Sequence, residues 1–143
     1  MEEETNLERS SVKMMIVLRK DLNMRKGKMV AQGAHAATQF LLQEIGRYRP
    51  DGTFGVFHFD PPELTDDQLK WLNEGTTKIC AGVDSEQELL DIFEKAKAVG
   101  LTVHLIDDYG LTEFKGVYTK TCLAIGPNKA DEIDKITGNL KLI

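Results

Sequence analysis

The chain has 143 residues, of which 41% are hydrophobic and 29% charged, with a net charge of -5. That length suits one domain with a real hydrophobic core. The acidic balance excludes a protein that coats nucleic acid indiscriminately, while a single local basic patch stays compatible with it.

Residues 1–11 are polar and acidic and are expected to form a mobile tail. They lack the basic region and apolar stretch of a signal peptide, and no run is long enough for a membrane-spanning helix, so the cytoplasm is the expected location. Lys13 to Arg19 (KMMIVLR) is a short apolar run of the kind a buried strand shows. From Asn23 to Ile45 the pattern is helical. On a helical wheel Val30, Ala34, Ala37, Leu41 and Ile45 share one side, predicted to face the core, and Lys28, Gln32, His35, Gln39 and Gln43 share the opposite, polar side. Gly33 and Ala36 lie between them, small enough for close approach of another element.

Residues 46–62 read as loop, with an inner edge strand or flap at Thr-Phe-Gly-Val-Phe-His-Phe. Thr65 and Gln68 resemble a capping box before a short helix carrying Leu69, Trp71 and Leu72 and closed by Gly75. Thr77 to Val83 is a second strand. Asp84 with Gln87 gives another capping-box signal, and the following helix places Leu89, Phe93 and Ala96 on one face before Gly100. Leu101 to Ile106 is a third strand and Lys120 to Ile125 a fourth. Gly126 and Pro127 are expected to break the chain before a last helix over 128–137. Strands alternating with helices predict an α/β sandwich around a sheet of about four strands. Cys80 and Cys122 both sit in apolar runs without metal-ligand spacing and read as buried free thiols.

Three basic residues, Arg25, Lys26 and Lys28, crowd around Gly27 where the first strand gives way to the first helix. Positive charge there opposes the helix dipole, so local propensity does not account for it, whereas a bound anion such as phosphate would. A nucleotide-binding P-loop is excluded, because Leu22 and Met29 occupy the positions that need Gly and Ser or Thr. The alternative is a solvated basic face. His35 shares a polar stripe with Lys28 and Gln32 that suits a polar partner, although a lone histidine on a helix is more often a packed residue. Asp107 and Asp108 follow the third strand. If that strand runs parallel to the first, both loops reach one edge of the sheet and Lys28 meets one of the two aspartates.

Four blocks in order, VLRKDLNMRKGKMVAQGAHAA, GLTVHLIDD, TCLAIGP and the closing IDKITGNLKL, resemble the archaeal and eukaryotic type of peptidyl-tRNA hydrolase. The resemblance covers about residues 13–45 and 76–143. It implies a three-layer α/β/α sandwich with a mixed, roughly four-stranded sheet, often a dimer. It implies cleavage of the ester between a peptide and the terminal ribose of tRNA, with no metal or organic cofactor and no membrane partner. Carried over by position, the functional lysine falls on Lys28, the aspartate on Asp108 and the threonines on Thr112 and Thr121, while Gln32 and His35 match a Gln-x-x-His block. Arg25 stands where the family commonly has glycine. The loop between Asp108 and Thr121 is one residue longer than usual, and residues 47–75 look like an insertion whose part is to cover the site, to stack on RNA bases or simply to pack.

No Ser-His-Asp pattern stands out, so water is the expected nucleophile, with Asp108 orienting or deprotonating it and Lys28 stabilising the oxyanion or a terminal phosphate. Thr112 and Thr121 would position either group. Arg19, Lys20, Arg25 and Lys26 would supply sequence-independent phosphate contacts. A non-catalytic RNA-binding or adaptor domain on the same fold is the second reading, because fold does not fix function.

Overall fold

The computed structural model describes residues 11–48, 54–56, 63–110 and 114–143. Its centre is β1 (Val12–Arg19), buried on both faces from Val12 to Leu18, with Lys13 the one charged residue in an otherwise apolar run. Helix α1 (Lys26–Ile45) leads into a two-stranded antiparallel pair, β2 (Gly46–Tyr48) and β3 (Phe54–Val56). Then come α2 (Asp66–Asn73), β4 (Lys78–Val83), α3 (Glu86–Ala98), β5 (Val103–Asp108), β6 (Thr119–Lys129), α4 (Ala130–Thr137) and β7 (Lys141–Leu142).

The main sheet has five strands in the order β5-β6-β1-β4-β7. β4 runs parallel to β1, and the other neighbouring pairs are antiparallel. Two antiparallel steps, from β1 to β6 to β5, make β5 parallel to β1. The carboxyl ends of β1, β4 and β5 therefore lie along one edge, and the loops after β1 and β5 share it. The fifth strand, β7, is a correction to the expected four. At two residues it is too short to leave a periodic signal.

Alternation along β1 divides the core into two layers. Met14, Ile16 and Leu18 pack with Ala36 and Phe40 of α1 and with Trp71 of α2. Met15 and Val17 pack with Leu89, Ile92 and Ala96 of α3 and Ile133 of α4. The result is the predicted three-layer sandwich. Phe40 and Trp71 meet edge to face at 5.6 Å, both almost wholly buried. Truncating either ring would cost about 3–5 kcal/mol. Trp71 and Gln68 place the helical part of the 47–75 segment in the body of the protein, while much of 49–62 and the tail at 1–10 lie outside the described residues.

Several local expectations change. Helix α1 is rotated from the face its alanines suggest, although Ala37 and Leu41 of that face still pack against the core. Val30 is 72% exposed and Ala34 is exposed, whereas Gln32, assigned to the polar side, is 1% exposed. The buried face runs through Met29, Gln32, Ala36 and Phe40, because Phe40 supplies the large apolar area and the Gln32 amide finds partners inside. Gly126 and Pro127 do not end β6. The strand absorbs them as a register shift opposite Lys13–Met15 and continues to Lys129, so α4 starts at Ala130. Gly126 is required there: at φ 112° its absent Cβ would lie 2.5 Å from the Lys13 carbonyl oxygen. The Thr65–Gln68 capping box forms as predicted. On α3 the cap moves one residue on: Ser85 accepts from the Glu88 N–H, and Glu88 accepts from the Asp84 N–H.

Candidate active site

The first turn of α1 contains no acidic residue and carries Lys26 and Lys28. Lys28 points from it across the sheet edge toward the end of β5. Its Nζ lies 3.1 Å from Asp108 Oδ1, and the two side chains are only 10% and 14% exposed. The juxtaposition rests on β1 and β5 being parallel, as the two loops required.

Asp108 is held from three directions. Lys28 Nζ and Gln32 Nε2 both donate to Oδ1 at 3.1 Å, and the Gly110 N–H donates to Oδ2 at 2.9 Å. Burial pushes the Asp108 pKa up, but the hydrogen bonds from Lys28, Gly110 and Gln32 and the charge of Lys28 outweigh it, so the carboxyl sits below its ordinary value. Lys28 also lies 5.3 Å above the Phe114 ring, a second favourable contact for its charge.

Gln32 links this pair to β6. A carboxylate only accepts, so the amide turns Nε2 to Asp108 and leaves Oε1 for the Thr121 hydroxyl, which donates at 2.5 Å. Thr121 is fully buried. Its direction comes from a β-bulge: Ile106 pairs with Cys122 and Asp107 with Lys120, leaving Thr121 as the extra residue. Thr121 and Cys122 both therefore reach α1, where the Cys122 thiol donates to the Gln32 carbonyl at 3.3 Å. Burial raises the Cys122 thiol to about 12, which makes it a packing and hydrogen-bonding group and not a nucleophile.

The predicted site residues thus separate. Lys28, Gln32, Asp108 and Thr121 form one connected network. Thr112 lies outside the described residues. Gln32, which the resemblance placed with His35 among the RNA-binding residues, is an interior bridge whose amide is enclosed. His35 is exposed two turns along α1 from Lys28, about 10 Å away by helix rise. Arg19 is committed inside the protein: its guanidinium pairs with both Asp21 oxygens and donates to the Lys120 carbonyl. Lys20 pairs with Asp84 at 3.3 Å. Arg25 and Lys26 are exposed at the start of α1. Gly27 has open space where a Cβ would lie, so no close backbone approach explains it. Gly110 and Phe114 carry no site reading from sequence, and Cys122 reads there only as a buried free thiol. The Asp-x-Gly spacing of Asp108 and Gly110 is the signal for the backbone donor, since short acidic side chains accept from N–H groups two residues on.

Among the described residues, no three His, Cys, Asp or Glu side chains cluster as a metal ion would need. No described helix is long and apolar enough to cross a membrane.

A family model and curated relatives agree on one family, and a solved structure shares the fold. The family model described as "Peptidyl-tRNA hydrolase PTH2" matches residues 12–143. A curated protein named peptidyl-tRNA hydrolase from Methanocaldococcus jannaschii is 42% identical over 92% of this chain and 100% of its own length. One of the same name from Metallosphaera sedula is 39% identical over the same shares. A solved structure of a protein of unknown function from Agrobacterium tumefaciens strain C58 covers 93% of this chain and 98% of its own, with a TM-score of 0.53 at 14% identity, and shares the fold alone. With its α/β sandwich and family model spanning all but the tail, this chain belongs to the peptidyl-tRNA hydrolase PTH2 family.

Proposed function

We propose that the Lys28–Asp108 pair carries out hydrolysis of the ester between a peptide and the terminal ribose of tRNA. The observation that supports this best is the pair itself, 3.1 Å apart, little exposed, and braced by Gln32 and Thr121 at the sheet edge. Ester hydrolysis needs a water aligned on the carbonyl and positive charge where the oxyanion develops. Lys28 supplies that charge from a fixed position. Asp108, with its pKa held down, is a weak base, so its main service is to hold Lys28 and orient water through Oδ2, which takes a single protein donor among the described residues. Thr121 acts one step back: it fixes the Gln32 amide, which fixes Asp108.

Arg25 and Lys26, exposed beside this site, are the phosphate contacts in this reading, and such contacts tolerate many tRNA sequences. The enzyme works in the cytoplasm on tRNA released with its peptide attached. The test is release of peptide from purified peptidyl-tRNA. The wild-type protein is expected to release it, and Lys28→Met and Asp108→Asn to lose about 10²–10³-fold in kcat. Equal rates in all three would refute the assignment, and RNA binding without release by the wild type would favour the non-catalytic reading.

A further inference from the structure

The loop that supplies Asp108 also carries an aromatic feature that the hydrolytic network does not use. Asp108 closes β5 directly opposite Thr119 at the start of β6, so the next residues outward, Tyr109 and Tyr118, leave the sheet side by side. Their rings meet edge to face with centroids 5.1 Å apart. Even so, Tyr109 is 63% and Tyr118 65% exposed, and Val117 beside them is 61% exposed.

The backbone clamps this pair in place. Gly110 has φ 77°, and a Cβ there would lie 2.6 Å from the Val117 carbonyl oxygen and 2.7 Å from its nitrogen. Only glycine lets the two limbs of the loop come so close. The Gly116 N–H donates to the Gly110 carbonyl at 2.9 Å, and the Gly110 N–H donates to Asp108. One clamp therefore orients the Asp108 carboxylate and sets the tyrosines next to it. Lys115 is exposed on the same loop, and Lys120, two residues after Tyr118, is ion-paired with Asp107 at 3.6 Å.

We propose that Tyr109 and Tyr118 form a stacking subsite for an unpaired nucleobase of the tRNA acceptor end. The proposal rests on the peptidyl-tRNA reading of the site. An unpaired base presents a bare π-face, and aromatic side chains take it up without regard to sequence. The peptide differs from one substrate molecule to the next, whereas the single-stranded acceptor end is common to them. A rigidly clamped aromatic pair fits the constant partner. Exposed Lys115 supplies positive charge beside the rings of the kind a nucleotide's phosphate needs. The tyrosines position the substrate and touch no reacting atom.

The test uses the full chain and two probes. One is peptidyl-tRNA, compared with the same peptide esterified to a simple alcohol that has no base. The other is single-stranded RNA carrying 2-aminopurine near its 3′ end, whose fluorescence is quenched by stacking. Tyr109→Leu and Tyr118→Leu keep apolar bulk and remove the ring, and each is expected to raise KM for peptidyl-tRNA about tenfold, within the range for one lost base–ring stack. Their kcat and their turnover of the base-free ester should stay at the wild-type level, their 2-aminopurine quenching should fall, and Tyr109→Phe should restore both readouts. Unchanged KM and quenching in the leucine variants would overturn the subsite while leaving the hydrolytic activity intact. A KM defect that persists on the base-free ester would assign the tyrosines to the peptide and overturn it equally. A wild-type protein that quenches 2-aminopurine but releases no peptide would refute the hydrolase and leave the stacking observation standing by itself.

Discussion

Thr121→Val is the substitution that most cleanly separates support from chemistry. Valine keeps the shape of threonine and removes one hydroxyl. Thr121 is fully buried and Gln32 is 1% exposed, so no solvent replaces the lost donor. Gln32 Oε1 is left without its 2.5 Å hydrogen bond. An unsatisfied buried acceptor costs about 1–3 kcal/mol. In a domain of this size that lowers Tm by roughly 3–10 °C. The effect on catalysis follows from the next link. Without Thr121 the Gln32 amide is no longer fixed, Asp108 loses a steady donor on Oδ1, and kcat falls about tenfold, equivalent to about 1.4 kcal/mol. Thermal melts and peptide-release kinetics measure the two effects separately. Thr121→Ser restores the hydroxyl and should recover most of both. A valine variant with wild-type Tm and kcat, or a serine variant as impaired as the valine one, would refute the chain from Thr121 through Gln32 to Asp108.

Two further predictions concern charge. The folded Asp108 pKa lies below its ordinary 3.8, with burial opposing and the Lys28, Gly110 and Gln32 contacts prevailing. A lowered folded value means the contribution to stability is complete above about pH 4 and is lost as pH falls through the lowered pKa. Melts and kcat followed from pH 3 to 8 should therefore show no Asp108-dependent acidic limb above pH 5, and an activity limb near pH 6 that disappears in Asp108→Asn would contradict this. Replacing Arg25 and Lys26 together by alanine should weaken tRNA binding and reduce the slope of log K against log salt by about 1–2. An unchanged slope in filter-binding or anisotropy titrations would remove these residues from the RNA interface.

Much of the framework was legible in local pattern. The apolar run of β1, the Thr65–Gln68 cap and the alternation of strands with helices all depend on neighbours in the chain, and all formed. Lys28 and Asp108 stood out because charge placed where strands give way to loops needs a reason, and the parallel arrangement of β1 and β5 brought them together. What local pattern missed was decided by distant partners. The burial of Gln32 depends on Asp108 and Thr121, 76 and 89 residues away. An alanine-rich helix offers little apolar area to fix its own rotation, so Phe40 and that interior amide decided which face turned inward. The inward turn of Thr121 needs the bulge between β5 and β6, and the Gly126–Pro127 pair reads as a break until β1 is seen to accept it as a register shift. Nor does local pattern show that, among the four basic residues expected to contact phosphate, Arg19 pairs with Asp21 and Lys20 with Asp84.

The central claim is that Lys28 and Asp108 act as one unit on peptidyl-tRNA. A double-mutant cycle of Lys28→Met, Asp108→Asn and the double variant, read as peptide-release kcat with Tm followed in parallel, tests it most directly. Groups that work together give strongly non-additive losses. Each single variant should lose about 10²–10³-fold, and the double should be little worse than either. Losses that multiply in the double variant, or single variants that release peptide at the wild-type rate, would contradict it.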